Sequence, residues 1–508
     1  MPNREERIRS EIKGRFRSGR PRGGRATVLL LFVFFQVLYA LFVMPVFPMV
    51  GDSADYASLV SHGVFDRHAT HIGFYLIHYP LDAFNRTLIG LDGDLFLNLL
   101  TTAFGALTVP IVFLLLSNVL GGSPARKNRA ALYGAIVYGL GGIVWYHAEF
   151  FETPALMLLA AYAALLLFLQ GRCKTAGACL ALSALVSQAV APLGGVFLAA
   201  ALFRRVPVSK IAGFAAAFVL VLLAGVLPVR EDFLWGTRGL LSVQAYYPPA
   251  PFWKTAFSLA HTMLESYWPL AVLFLFALPE VRRQPELGWM TLASAPLLCS
   301  VGSRIGHRDY GVVWLPAAFF AAAWLGLGFG ALAARLRRWT ETAAALVVGL
   351  LFLTATLVTY ILPKREAWVR ADECMARVYE HAKAGHLIAD PYAGYAYAHR
   401  FWPELENVWE APWSEMPAEA SALDEILLRG PVFLLDYHPP SHFLREALLE
   451  NPLGARLLPP EKRAQYVEEF DMISDELRER EPGRGMDLVF RCNGARLWRI
   501  SGDERGTP

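Results

Sequence analysis

Charge is the scarcest commodity in this chain. Only 18% of its 508 residues are Asp, Glu, Lys or Arg, against 55% hydrophobic, a balance that excludes an ordinary soluble enzyme. Cysteine is scarce too: five residues, Cys173, Cys179, Cys299, Cys374 and Cys492, with no CxxC pair and no ladder spacing, so neither a disulfide scaffold nor a zinc ribbon is expected. No HExxH stands anywhere, and no internal repeat marks a solenoid or an inverted-repeat transporter.

What is present is a succession of apolar runs long enough to cross hydrocarbon as helices. We read about eleven: 26–46, 94–118, 130–146, 154–170, 174–187, 191–203, 209–229, 256–279, 288–301, 311–334 and 341–362. The first is too long for a signal-peptide core and lacks a small-residue cleavage site, so it reads as a retained helix. Pro192 and Gly194-Gly195 leave 174–203 open to two short crossings or one re-entrant segment. The predicted class is a polytopic α-helical membrane protein in three parts: a basic tail (1–25), a transmembrane domain (26–362) and a soluble segment (363–508). The arginine-rich tail reads as a cytoplasmic anchor and not as an arm for nucleic acid.

Basic connections alternate along the chain. "ARKNR" (125–129), "GRCK" (171–174), "RRVPVSK" (204–210), "VRR" (281–283) and "RLRR" (335–338) all fall on the side of the N-terminus. By the positive-inside rule that side is cytoplasmic. The loops 47–93, 147–153, 230–255 and 302–310 and the C-terminal segment then lie outside, at what reads as a bacterial plasma membrane. In loop 47–93, "ADYASLVSHGVF" and "FYLIHYPLDAF" have the spacing of two short interfacial helices. The C-terminal segment, with "HLIAD", "PVFLLDY", "DLVFRC" and "ARLWRI" between charged helical stretches, reads as a small α/β domain.

The outer loops carry the candidate chemistry. Asp52 and Asp55 stand at i and i+3 in "GDSADY". That spacing suits a helix cap, or a carboxylate placed to take a proton from an acceptor hydroxyl. "WYHAEFFETP" offers His147, Glu149 and Glu152; "SRIGHRDYG" offers Arg304, His307, Arg308, Asp309 and Tyr310; loop 230–255 adds Arg238 and Lys254. Cations for a phosphate and carboxylates for a hydroxyl are what a phosphate-bearing lipid substrate needs. His68, His71 and His78 with Glu149 or Asp55 leave a divalent metal open. Asn85-Arg86-Thr87 forms an N-glycosylation sequon, a triplet that chance readily supplies.

These motifs, in their order "GDSADY", "THIGFYLI", "LFLNLLTTAFGALTVPIVFLLL", "WYHAEFFETPALMLL" and "RDYGVVWLPAAFFAAAWLGLGFGAL", resemble the GT-C superfamily of membrane glycosyltransferases. They are most similar to the bacterial relatives of protein O-mannosyltransferases. The resemblance implies a polyprenyl-phosphate-linked sugar as donor and transfer on the outer face to a protein, glycan or lipid hydroxyl. It also implies Asp52 and Asp55 as the loop acids, Glu152 as the acid of the later turn, and Arg308 with Asp309 as the late motif. Asp55 stands where that family has Glu, and His71-Ile72-Gly73 lacks the family's prolines. A flippase for a lipid-linked sugar and a non-catalytic scaffold are the rival readings; against the first, nearly all charges sit at helix ends, Glu265 excepted.

Overall fold

The computed structural model describes residues 24–43, 56, 60, 71–149, 151–231, 233, 252–305, 314–335, 338–389, 408–410, 430–437, 486–492 and 495–500. The chain divides into two compact units, one of Met1–Pro45 with Gly63–Ile361, the other of Val46–His62 with Leu362–Pro508.

The first unit is helical throughout its described length. Its helices are α1 (Gly24–Phe42), α2 (Ile72–Phe84), α3 (Gly93–Val119), α4 (Pro124–Leu140), α5 (Gly142–Tyr146), α6 (Thr153–Leu169), α7 (Cys173–Val186), α8 (Leu193–Phe203), α9 (Val208–Val226), α10 (Phe252–Tyr267), α11 (Leu273–Ala277), α12 (Pro285–Ile305), α13 (Leu315–Ala333) and α14 (Arg338–Thr356). Within the described residues each of the eleven predicted runs falls largely on helix. Among the described residues five helices are long and apolar enough to cross a membrane unaided.

Two predictions need correction. The run 256–279 is not one straight span: α10 and the segment after it meet at a 90° bend. Pro269 stands just ahead of the bend, where a proline lacks the N–H that would continue the ladder, and Tyr267, two residues before it, has left helical geometry. The run 130–146 is likewise broken, at Gly141, into α4 and α5. The runs 174–187 and 191–203 are, as read, two separate helices, α7 and α8, joined by a short 3-10 turn.

Helix α13 is the hub of the unit and is buried along most of its length. It packs on α4 through small residues. A Cβ on Gly326 would lie 2.5 Å from both Cα and N of Gly134, so the two backbones touch where each has no side chain. At the break after α4, Gly141 and Gly142 are covered directly by the rings of Tyr267 and Tyr360. Helix α9, just as apolar, has no buried residue; it packs mainly along α7, with Phe214 also against the rings of Phe168 on α6 and Phe197 on α8.

All five basic connections gather at one end of this unit. Arg126 pairs with Glu280 at 2.6 Å, and Arg129 reaches both oxygens of Glu341 at 2.7 and 2.9 Å. Arg204 holds Glu286 and also donates to the carbonyls of Leu169 and Asn118, closing the ends of α6 and α3. Lys210 lies near Cys173, and Arg335 lines the same groove as Arg126.

The second unit joins α15 (Leu362–Ala382) to a five-stranded mixed sheet ordered β2-β1-β3-β5-β4, from β1 (His386–Ala389), β2 (Val408–Glu410), β3 (Val432–Tyr437), β4 (Met486–Cys492) and β5 (Ala495–Ile500). The four predicted strands are present. The short β2 is an addition, paired in parallel to β1. Strand β3 has the continuous apolar run of a central strand, with Val432 to Leu435 buried. Cysteine, read as uninformative in the sequence, matters here: Cys374 of α15 is bonded to Cys492 at the end of β4.

Candidate active site

The turn between α5 and α6 gathers several buried ionisable residues. His147 and Glu149 are 2% and 1% exposed, and Glu152 is 9% exposed. Burying three ionisable groups costs several kcal/mol unless each is answered by a partner. Glu152 occupies the N-cap position of α6 with extended backbone, yet its carboxylate makes no cap hydrogen bond. It turns instead to His147, whose Nδ1 lies 3.3 Å from Glu152 Oε2.

Three neighbours hold the turn in this shape. From α3, Asn98 is fully buried and its Oδ1 accepts from the Phe151 amide at 2.7 Å. From α2, Phe74 and His78 clasp the Phe151 ring, each with a centroid separation of 4.8 Å. From α1, Tyr39 and Phe42 pack on Trp145 at 6.1 and 5.4 Å, while Tyr39 Oη donates to the Gly139 carbonyl at 2.7 Å. Gly105 of α3 leaves room for Ala148, which a Cβ there would meet at 2.5 Å. A void of about 10 Å³ beside His147, room for one water, is also lined by Tyr138, Pro154 and Leu315. Leu315 is the first residue of α13, so that helix begins at this end.

Loop helix α2 is anchored by the segment His71-Ile72-Gly73. His71 Nδ1 lies 2.7 Å from the carbonyl oxygen of Val186, a terminal group of α7 that the helix itself leaves unbonded. A Cβ on Gly73 would come within 2.8 Å of Leu185 Cβ. His78 bonds the Phe74 carbonyl at 2.8 Å, and burial lowers its pKa to about 4. Among the described residues no three His, Cys, Asp or Glu gather as a metal set. Asn85 of the sequon is buried, with its amide donating to Leu91 O and accepting from Leu91 N. That side chain is a structural tie and is not presented for modification.

Of the predicted site residues, Glu152 contacts His147, Glu149 is buried in the same turn, and His71 stands just before α2 against the end of α7. Arg304 lies on α12, where the description is of backbone only. Asp52, Asp55, His68, Arg238, His307, Arg308, Asp309 and Tyr310 lie outside the described residues, and Lys254 is described only as helix. Asn98, inside "LFLNLLTTAFGALTVPIVFLLL", has no role assigned from the sequence. Its signal was an amide inside a long apolar run, a costly placement that asks for a buried partner.

No family model matches this chain, and no curated protein does. A solved structure does: ArnT from Cupriavidus metallidurans in the apo state, 11% identical, aligned over 93% of this chain and 97% of that one with a TM-score of 0.55. The fold is GT-C. Arabinofuranosyltransferase AftD from Mycobacteria gives a weaker likeness, 12% identical over 95% of this chain and 40% of its own, with a TM-score of 0.46. Within this fold the buried His147–Glu152 pair sits at one end of α6, and the Arg204 contact to Leu169 closes the other.

Proposed function

We propose that this chain is a membrane glycosyltransferase, moving mannose or another hexose from a polyprenyl-phosphate-linked donor to an acceptor hydroxyl of a protein, glycan or lipid on the extracytoplasmic face. The observation that carries the reading is the acid set Glu149 and Glu152 with His147, buried in a GT-C fold at the end of α6 remote from the arginine contacts. Ionisable groups held so far from water are costly and concentrate at sites that use them.

The transfer is an inverting single displacement. Asp52, with Asp55 as second choice, would take the proton of the acceptor hydroxyl as its oxygen bonds to the anomeric carbon. The bond from that carbon to the phosphate oxygen breaks in the same step, and the polyprenyl phosphate leaves with the electron pair. Arg308, helped by His307 or Arg304, would stabilise the phosphate, with Asp309, Tyr310 and Arg238 completing the headgroup site. Glu152 would hold an acceptor hydroxyl or shape the pocket through His147. His71 would act at a distance, by fixing α2 to the end of α7. The Cys374–Cys492 bond supports an extracytoplasmic C-terminal unit, because disulfides persist in oxidising compartments.

The test is transfer of labelled sugar from a polyprenyl-phosphate donor to an acceptor extract, with wild type and Asp52→Asn compared at equal yield of folded protein. General-base catalysis contributes about 10²- to 10⁴-fold, and a loss of that order is expected. A loss under threefold sinks the role of Asp52. One feature favours a flippase instead, the 90° break after α10, since broken helices are common in transporters. Donor lipid bound by both proteins but transferred by neither would move the reading there.

A further inference from the structure

We propose that a groove at the arginine-bearing end of the first unit binds the phosphate headgroup of an anionic membrane lipid, at a site separate from the transfer chemistry. The groove has a volume of about 420 Å³, within the roughly 300–1,000 Å³ of sites that hold small molecules. Arg126, Arg129 and Ser123 at the start of α4, Phe276 of α11, Glu280, and Arg335 just past the end of α13 line it.

Charge in and around the groove does not cancel. Glu280 answers Arg126 and Arg283, and Glu341 answers Arg129. Arg335 has no carboxylate partner among the described residues and lies over the Phe276 ring, 5.9 Å from its centroid. Four guanidinium groups against two carboxylates leave two positive charges in excess. Arginine forks match phosphate oxygens in pairs, and Arg335 is exposed and has its donors to offer.

The apolar half of the groove separates a lipid from a soluble anion. Phe276 lines the groove with its ring under Arg335, and its chain neighbours Leu275 and Leu278 are 64% and 63% exposed, an apolar wall next to the lining. A headgroup phosphate seated on Arg335 would let its acyl chains run down this wall, whereas a free phosphate would leave it uncovered. Basic pockets between helices at a membrane surface recognise anionic lipids in this way. The positive-inside rule puts this end at the cytoplasmic leaflet.

The experiment uses the full-length chain in nanodiscs of phosphatidylglycerol mixed with phosphatidylcholine, with retained lipid counted by native mass spectrometry after release. Wild type is expected to keep phosphatidylglycerol over phosphatidylcholine. Arg335→Gln should lower that retention about fivefold, the factor expected for one basic residue at an anionic surface, with its thermal midpoint in pure phosphatidylcholine unchanged. Ala334→Trp, which fills the groove and leaves every charge in place, should lower it as well. Equal retention by wild type and both variants overturns the proposal. So does an Arg335-dependent rise in midpoint with inorganic phosphate alone and no preference among lipids, which assigns the groove to a soluble anion.

Discussion

His78 is fully buried against the rings of Phe74, Phe104 and Phe151, on a loop helix outside the spanning segments. Desolvation disfavours its charged form and sets the folded pKa near 4, against 6.5 in the unfolded chain. Above pH 6.5 both states are neutral and the group has no effect on stability. As pH falls from 6.5 toward 4 the unfolded chain takes up a proton that the folded chain refuses, so stability is lost across that window. At about 1.4 kcal/mol per pKa unit the loss is on the order of 3 kcal/mol. The thermal midpoint of the purified chain should drop between pH 6.5 and 4.5, and His78→Phe, which keeps an aromatic ring in place, should flatten that limb. An unchanged limb in the variant would remove His78 as its cause. Asn98 acts on the site more directly, because its amide oxygen is what holds the Phe151 N–H. Asn98→Ala leaves a buried donor unsatisfied, at a cost of about 1–3 kcal/mol. It should also cut sugar transfer at least as strongly as it cuts stability, by loosening the turn that carries Glu149 and Glu152; full transfer from a destabilised variant would show the turn to be dispensable.

Between elements, the close crossing of α4 and α13 depends on missing atoms. A Cβ on Gly326 meets backbone of Gly134, and one on Gly134 meets Leu116 Cδ1 at 2.6 Å and the Ala322 carbonyl oxygen at 3.2 Å. Backbone cannot rotate away as a flexible side chain can, so the helices must separate. Gly326→Ala should destabilise by about 1–3 kcal/mol, the usual range for overpacking, and Gly326→Leu by more, read as a graded fall in thermal midpoint. No change in either variant would mean that the crossing is loose. The same device explains the Gly-Leu-Gly of α13: Gly326 faces α4, and Gly328 abuts the carbonyl of Leu273 on α11. In the sequence these glycines carried only a family likeness. Their reason is the distance of approach, which belongs to two helices at once.

At the scale of the molecule, one covalent tie spans 118 residues, from Cys374 to Cys492, and sits beside the stack of His381 on Phe490 at 4.6 Å. Loops of this length gain about 4–5 kcal/mol from closure in the chain-entropy account. Alkylation of the unfolded chain should therefore modify Cys173, Cys179 and Cys299 at once and the other two only after reduction. Cys374→Ser should make the C-terminal unit the first to be cut by protease; equal resistance would deny the bond a structural role. Which cysteines pair was beyond the sequence, since five thiols in an apolar chain carry no spacing rule. The apolar runs and the charge of their connections were legible locally, because the cost of exposing backbone to hydrocarbon and the bias of arginine across a membrane act on each segment separately. The sequence by itself thus determined a helical membrane chain, the alternation of its basic connections, the strands of its C-terminal unit and the turn bearing Glu152. Only the tertiary structure decided that α13 is buried while the equally apolar α9 is not, that a span bends by 90° just after Pro269, and that Glu152 serves His147 and does not cap its own helix. Burial, approach distance and hydrogen-bond partner are properties of pairs of elements, and no single stretch of sequence contains both members of a pair.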